Sequence, residues 1–433
     1  LLLFVATSDF CISLCMTKTA SKWGRKAWVV LSMCVDLGLL GYFKYFNFLR
    51  EIMAAVAHEL GYQLGNTSLQ NITYQPLDIF LPVGISFFTF QTISYVIDVY
   101  RGRIAPLRRW IDYVFYVSFF PQLVAGPIVR ARDFIPQIYK TPVVTRAEFG
   151  EGLFLVLCGL FKKTVISDYI SLNFVDRIFD APLLYTGVEN LLGVYGYALQ
   201  IYCDFSGYSD MAIGLGKMFG FTFIENFRLP YTATSIQDFW RKWHISLSSW
   251  FKEYVYIPLG GNRRGTARTY VNLWTVFLLT GIWHGAGWTF IFWGIYHGFF
   301  NVLERCFLGK WLKQEKFRPL AHIYAVFVVL IGWIFFRADT IGQAFSFIRY
   351  MFVPHSAVVL MERYMNRKLW MFLAAALLAC GPVQWFWMKW KGRVLAQDGS
   401  VTVTSWIGYM AILWFSILLL VNNTYNPFIY FRF

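Results

Sequence analysis

The longest charge-free stretch of the chain runs from Thr269 to Leu303, between Arg268 and Glu304. As one straight helix it would extend roughly 50 Å, past the ~30 Å hydrocarbon thickness of a bilayer. It must therefore break, and Gly281, Gly285 and Gly287 cluster around Trp283-His284 to mark the place. About 15 apolar residues remain on each side, fewer than the ~20 a spanning helix needs. His284 is thus expected at a backbone break at membrane depth, where protein or a water-filled cavity must satisfy the backbone. An ionisable residue there either marks a functional site or hydrogen-bonds two helices together, and this stretch alone supports both.

Other apolar runs cover Leu1–Met16, Ala27–Phe46, Leu77–Tyr100, Tyr113–Val129, Gly150–Ile170, Asn190–Phe221, Ile323–Phe336, Leu369–Trp387 and Trp406–Val421. Pro121, Gly126 and Pro127 make Tyr113–Val129 bent or re-entrant. Lys162-Lys163, inside Gly150–Ile170, can snorkel. Asn190–Phe221 reads as long and interrupted, with two aspartates. Ile52–Leu60 is amphipathic and Gly61–Gln75 a polar loop. The total is about ten crossings with re-entrant and amphipathic pieces, an all-α polytopic membrane protein. No repeat or low-complexity linker divides it, so 1–433 reads as a single domain. It opens in mid-span at Leu1-Leu2-Leu3-Phe4, which implies missing upstream sequence, and no signal peptide is identified.

Composition agrees: 57% of residues are hydrophobic, 20% aromatic and only 15% charged. That excludes an ordinary soluble domain. The net charge of +15 sits in short clusters between apolar runs, which suits cytoplasmic loops and anionic headgroups, not nucleic acid. The seven cysteines are scattered without a C-x-x-C pair, so neither zinc nor a disulfide framework is indicated.

Three further segments carry chemistry. Ile236–Tyr256, as a single helix, places Phe239, Trp240, Trp243, His244, Leu247, Trp250 and Phe251 on one face and basic and hydroxyl residues on the other, as in a helix lying on the membrane surface. It is either an interfacial anchor or the carrier of a desolvated histidine, His244. Gln200–Asp210 sets Asp204 and Asp210 between apolar flanks, where a carboxylate faces a cavity or a partner. Phe119–Ile128 is an apolar segment punctuated by Pro and Gly.

Together, D-F-W-R-K-W-H-I-S-L-S-S-W-F at Asp238–Phe251, Y-I-P-L-G-G-N-R at Tyr256–Arg263 and G-I-W-H-G-A at Gly281–Ala286 resemble the membrane-bound O-acyltransferase superfamily. F-F-P-Q-L-V-A-G-P-I at Phe119–Ile128 and Y-C-D-F-S-G-Y-S-D-M-A at Tyr202–Ala212 resemble its alginate O-acetylase branch, similar in turn to peptidoglycan O-acetyltransferases and the D-alanyl transferase of teichoic acid. The resemblance implies a ring of tilted helices around a transmembrane funnel in a bacterial inner membrane. The family's two histidines would match His284 and His244, with Trp283, Trp240, Trp243 and Asp204 lining the funnel. It also implies an acyl group, acetyl by this likeness, passing from a cytoplasmic thioester (acetyl-CoA or a carrier-protein thioester) to an extracytoplasmic polysaccharide. Transfer would be direct or through a partner transferase of the SGNH type, with no bound cofactor and no metal. The ending Asn426–Phe433 resembles an aromatic C-terminal motif of the branch, which implies that Tyr430 carries the acyl group. Composition alone makes the same ending an interfacial anchor.

The residue types suit that chemistry. A neutral imidazole takes a hydroxyl proton as the oxygen attacks a thioester carbonyl, and apolar burial favours the neutral form. His244 would polarise the carbonyl or orient the acceptor. No G-x-S-x-G elbow or H-x-x-x-H pair is present. His58, His297, His322 and His355 read as structural or interfacial. Alginate, peptidoglycan and cellulose remain open as acceptors. A polysaccharide or ion permease, or an export scaffold, would also bury Asp204, Asp210 and His284, although a permease more often shows repeated halves.

Overall fold

The computed structural model describes residues 1–65, 74–124, 126–356, 358–359, 361–381, 403–422 and 428–429. Among these, every regular element is a helix. Two helices, Lys22–Leu64 and Glu315–Arg337, are long and apolar enough by length and composition to cross a membrane, and Trp406–Val421 is a shorter apolar helix. Several of the other apolar runs are cut into shorter helices by glycines, prolines and π-helical turns. The chain divides into two compact units: Leu1–Val124 with Ile128–Lys140 and Gly285–Gly287, and Ala125–Pro127 with Thr141–His284 and Trp288–Phe433.

The first unit contains α1 (Leu2–Lys18), α2 (Lys22–Leu40), α3 (Phe46–Leu64), α4 (Ile85–Tyr100), α5 (Trp110–Ser118) and α6 (Ala131–Ile138). A π-helical turn, Gly41–Tyr45, carries α2 into α3, so the runs read as separate in sequence are one continuous helix. Buried polar groups tie α1, α2 and α4. Ser32 Oγ donates to Asp9 at 2.7 Å and Thr92 Oγ1 to Asp36 at 2.9 Å, which offsets part of the cost of burying carboxyl groups. The run from Leu77 becomes helical only at Ile85. Gly84 before it has φ +76°, and a Cβ there would lie 2.3 Å from the Leu123 carbonyl oxygen. The bend expected after Tyr113 is present: α5 stops at Ser118, Phe119 is extended, and a single turn follows at Phe120–Leu123.

The second unit is built on α7 (Arg146–Leu160) and α8 (Gly187–Met218). Their backbones touch, since a Cβ on Gly159 would lie 2.3 Å from the Gly207 oxygen and one on Gly214 2.4 Å from that of Gly152. This corrects the interrupted reading of Asn190–Phe221. The helix runs unbroken for 32 residues, and its glycines serve close approach instead of breakage. Nor do the two lysines snorkel. Lys162 pairs with Asp210 at 2.6 Å, and Lys163 with Asp168 at 2.6 Å and Asp204 at 2.7 Å. The carboxylates of α8 draw both ammonium groups inward, where a pair is cheaper than either charge alone.

Four further helices frame the site: α9 (Ile236–Lys242), α10 (Ile245–Phe251), α11 (Thr266–His284) and α12 (Trp288–Leu303). The single surface helix expected over Ile236–Tyr256 is instead two short helices with a corner at Trp243-His244. Its aromatic face is buried throughout, which a helix resting on a surface would not achieve. The break in Thr269–Leu303 falls at residues 285–287, as its glycines suggest. Its two halves fold back on each other: a Cβ on Gly281 would lie 2.4 Å from the Phe290 oxygen and one on Gly294 2.5 Å from that of Phe277. Gly281 therefore belongs to the packing of an αα-hairpin and not to the break.

Candidate functional site

His244 is placed by a corner that the local backbone holds firmly. Ser235 caps α9 by accepting the Asp238 N–H at 3.0 Å. The Glu304 carboxylate, just beyond α12, accepts the N–H groups of Ile236 and Gln237. These three bonds satisfy donors that a helix start leaves open, and the negative charge suits the positive end of the helix. At the other end the chain turns through His244 with φ +46°. Leu229 is the other non-glycine residue with positive φ among those described. Such a conformation costs on the order of 1–3 kcal/mol and persists only where its surroundings over-determine it. Here the segment Asn226–Arg228 does so: Arg228 N–H donates to the Lys242 carbonyl at 2.9 Å, and Ile245 N–H to that of Asn226 at 3.0 Å.

The His244 imidazole is completely buried. Burial pushes it down to about 3, so it is neutral. Its Nδ1 lies 3.2 Å from Asn226 Oδ1. Phe205 meets the ring edge-on at 4.7 Å, and Trp283 stands 6.0 Å away.

His284 ends α11 and is 3% exposed. Trp283 and Trp293 each lie 4.9 Å from its ring and Phe336, of α13 (Arg318–Arg337), 5.1 Å. Two chain breaks far apart in sequence, at Trp243-His244 and after His284, thus bring both histidines to within 6.0 Å of Trp283. The resemblance pairs these residues, and the fold makes one indole a neighbour of both.

The remaining candidates divide. Trp240 packs on Trp293 at 5.6 Å, one ring from His284. Trp243 lies 5.0 Å from Phe227 and Trp333 and stacks on Phe239 at 5.6 Å, and Phe239 in turn meets Trp240 at 5.6 Å. It supports the corner from behind. Asp204 is held by Lys163 on one oxygen and by the Ile429 N–H at 3.0 Å on the other, which is the partner role its segment leaves open. Tyr430 lies outside the described residues. The two residues before it, Phe428 and Ile429, are buried, and Phe428 packs 5.8 Å from Phe205 and 5.2 Å from Tyr208.

Three residues escape a reading of the sequence. His297 lies 4.9 Å from Trp293 and 5.2 Å from Trp240, in the same aromatic group as His284. Its i,i+4 spacing from Trp293 on an uncharged helix is a faint signal of that. Asn226 and Glu304 act across long sequence separations, and no local pattern points to either. The whole is a buried aromatic enclosure around the histidines, a setting that favours the neutral imidazole a general base needs.

Comparison with known proteins bears on which chemistry this serves. Residues 109–341 match the model of the membrane-bound O-acyltransferase family. A probable alginate O-acetylase of Pseudomonas putida is 38% identical over 96% of this chain and 85% of its own length. One from Azotobacter vinelandii is 43% identical over 75% of this chain, which spans 62% of that relative. A peptidoglycan O-acetyltransferase of Helicobacter pylori is 37% identical over 79% of the chain and 68% of its own.

Proposed function

We propose that this chain, which belongs to the membrane-bound O-acyltransferase family and is an acyltransferase, moves an acetyl group from a cytoplasmic thioester across the membrane for O-acetylation of an extracytoplasmic polysaccharide, alginate foremost. The observation that carries the reading is the pair of buried histidines that both pack against Trp283. His284 takes the proton of the acceptor hydroxyl as its oxygen bonds to the thioester carbonyl carbon. The C–S bond breaks, and the leaving thiolate recovers the proton from the imidazolium, giving an ester and a free thiol. General-base assistance of this kind contributes on the order of 10²–10⁴-fold, and alignment of the two substrates supplies much of the remainder. His244 acts on the same reacting pair.

The finer architecture is a ring of about ten crossings around a funnel in the bacterial inner membrane, with acetyl-CoA or a carrier-protein thioester as donor. Tyr430 would relay the acetyl group to an SGNH-type partner that completes transfer to the polymer. The peptidoglycan O-acetyltransferase relative supports a second acceptor by the same chemistry. Purified protein in proteoliposomes, loaded with acetyl-labelled thioester, should release label to an added hydroxyl acceptor. His284→Ala should insert and accumulate normally yet transfer nothing. Wild-type transfer by His284→Ala would remove the mechanism, and no transfer by the parent protein would favour a permease or scaffold.

A further inference from the structure

His244 has two roles open to it in acyl transfer. It can donate a hydrogen bond to the carbonyl oxygen as negative charge develops there, or accept one from the acceptor alcohol and orient it. The two roles need opposite ring tautomers, and the surroundings of Nδ1 decide between them.

Asn226 Oδ1 is the centre of the arrangement. It lies 3.2 Å from the backbone nitrogen of Ser246, 2.9 Å from Ser246 Oγ and 3.2 Å from His244 Nδ1. A backbone N–H can only donate, so the atom facing Ser246 N must be the amide oxygen and the side chain cannot be flipped. On its other side Asn226 Nδ2 donates to Ser209 Oγ at 3.1 Å, which fixes the same orientation from α8. The Ser246 hydroxyl has two neighbours, Asn226 Oδ1 at 2.9 Å and His244 Nδ1 at 3.4 Å. The shorter contact takes its proton. His244 Nδ1 then faces an acceptor oxygen without another donor to fill the gap, so the ring must carry its proton on Nδ1. The opposite nitrogen, Nε2, is buried and has no hydrogen-bond partner among the described residues.

We infer that Asn226 is a positioning residue that locks His244 as the Nδ1–H tautomer, leaving Nε2 as a bare acceptor that orients the acceptor alcohol through a neighbouring hydroxyl, while the attacking one gives its proton to His284, and that cannot donate to the acyl carbonyl oxygen. This rests on the acyltransferase reading and assigns His244 to the alcohol half of the reaction. The strained backbone at His244 follows from the same geometry. The left-handed turn sets Nδ1 against the Asn226 side chain, while the Asn226 carbonyl takes the Ile245 N–H next to it. One asparagine thereby fixes both the corner and the ring. Because the lock uses only the amide oxygen, aspartate should substitute and alanine should not.

The tautomer is read directly, independently of activity. The chain contains two Trp-His pairs, Trp243-His244 and Trp283-His284. Protein labelled with carbonyl-¹³C tryptophan and ¹⁵N histidine therefore selects these two residues by magic-angle-spinning NMR in bilayers, and His284→Gln separates them. The expected spectrum shows His244 with Nδ1 protonated and Nε2 bare. In Asn226→Ala an Nε2–H signal appears and kcat falls roughly 10²-fold with little change in KM, whereas Asn226→Asp keeps the parent tautomer and most of the activity. A proton on Nε2 in the parent protein overturns the inference outright. So does an Asn226→Ala protein that loses activity with its tautomer unchanged, which would make Asn226 structural only. Failure of the parent protein to transfer acetyl, with the tautomer as stated, would strike the function and leave the lock standing.

Discussion

Asp204 and Ile429, 225 positions apart in sequence, are joined by a hydrogen bond of 3.0 Å from the Ile429 backbone N–H to Asp204 Oδ2. The other oxygen holds Lys163 at 2.7 Å. Asp204→Ala removes both contacts and deprives Lys163, 13% exposed, of one of its carboxylate partners. Breaking a buried pair this way costs about 3–5 kcal/mol. Thermal unfolding in detergent should show a marked loss of stability for Asp204→Ala and a smaller one for Asp204→Asn, which keeps an acceptor for Ile429. Identical melting of Asp204→Ala and the parent would show that the clasp contributes nothing.

The helix hairpin gives a second stability test. Gly281→Ala and Gly294→Ala each force a methyl group to within 2.5 Å of a backbone carbonyl on the facing helix. Main chain cannot yield as a side chain can, so each should destabilise by about 1–3 kcal/mol. Since the hairpin sets His284, acyl transfer should fall as well. Gly38→Ala is the contrast, because nothing lies within 4 Å of its added Cβ. Helix propensity there favours alanine by up to ~1 kcal/mol. Equal melting temperatures for Gly281→Ala and Gly38→Ala would refute the close packing.

These positions show what the sequence could and could not disclose. The charge-free length of Thr269–Leu303 forces a break, and Gly285 and Gly287 locate it, so the break after His284 is legible from bilayer geometry alone. The partner of the break is not: only the fold reveals that Gly281 faces Phe290 while Gly285 and Gly287 make the turn. The aromatic face of Ile236–Tyr256 is legible from its 3.6-residue period, but its corner is not. Nothing in Trp-His-Ile forbids a continuous helix, and the left-handed His244 is imposed by the distant segment Asn226–Arg228. Lys162 and Lys163 mislead for the same reason, because snorkelling and inward pairing differ only in where Asp204 and Asp210 stand in space.

Topology is a third test. Arg101, Arg103, Arg108 and Arg109 are exposed just beyond α4, and Arg263, Arg264 and Arg268 at the start of α11. By the positive-inside rule both loops should face the cytoplasm. The 19 residues of α11 rise about 28 Å, so His284 stands at the far end of the helix from its basic loop. Arg108→Cys and Arg264→Cys, in a background without other cysteines, should react with an impermeant maleimide only after the membrane is opened. Labelling of either from outside intact cells would reverse the donor side.

The last test concerns Tyr430. Its chemistry is coherent as a relay: a phenol is a hydroxyl acceptor, and with a pKa near 10 its ester gives up an acyl group more readily than an alkyl ester does. The described residues before it bear on where such a relay would start. Phe428 and Ile429 are buried, and Phe205 touches both Phe428 and His244. An aromatic anchor alone would account for that burial equally, so the hydroxyl has to be tested by itself. Tyr430→Phe keeps the ring and removes only the oxygen. It should therefore accumulate, melt and consume thioester like the parent while polymer acetylation stops, with an acetyl-tyrosine peptide recoverable from the parent and absent from the variant. Truncation after Tyr425 should lose delivery together with the Ile429 clasp and so be less stable, which separates the two roles. If Tyr430→Phe acetylates polymer at the parent rate, the tyrosine is an anchor, and the acyl group passes from the thioester to its acceptor without a stop on the chain.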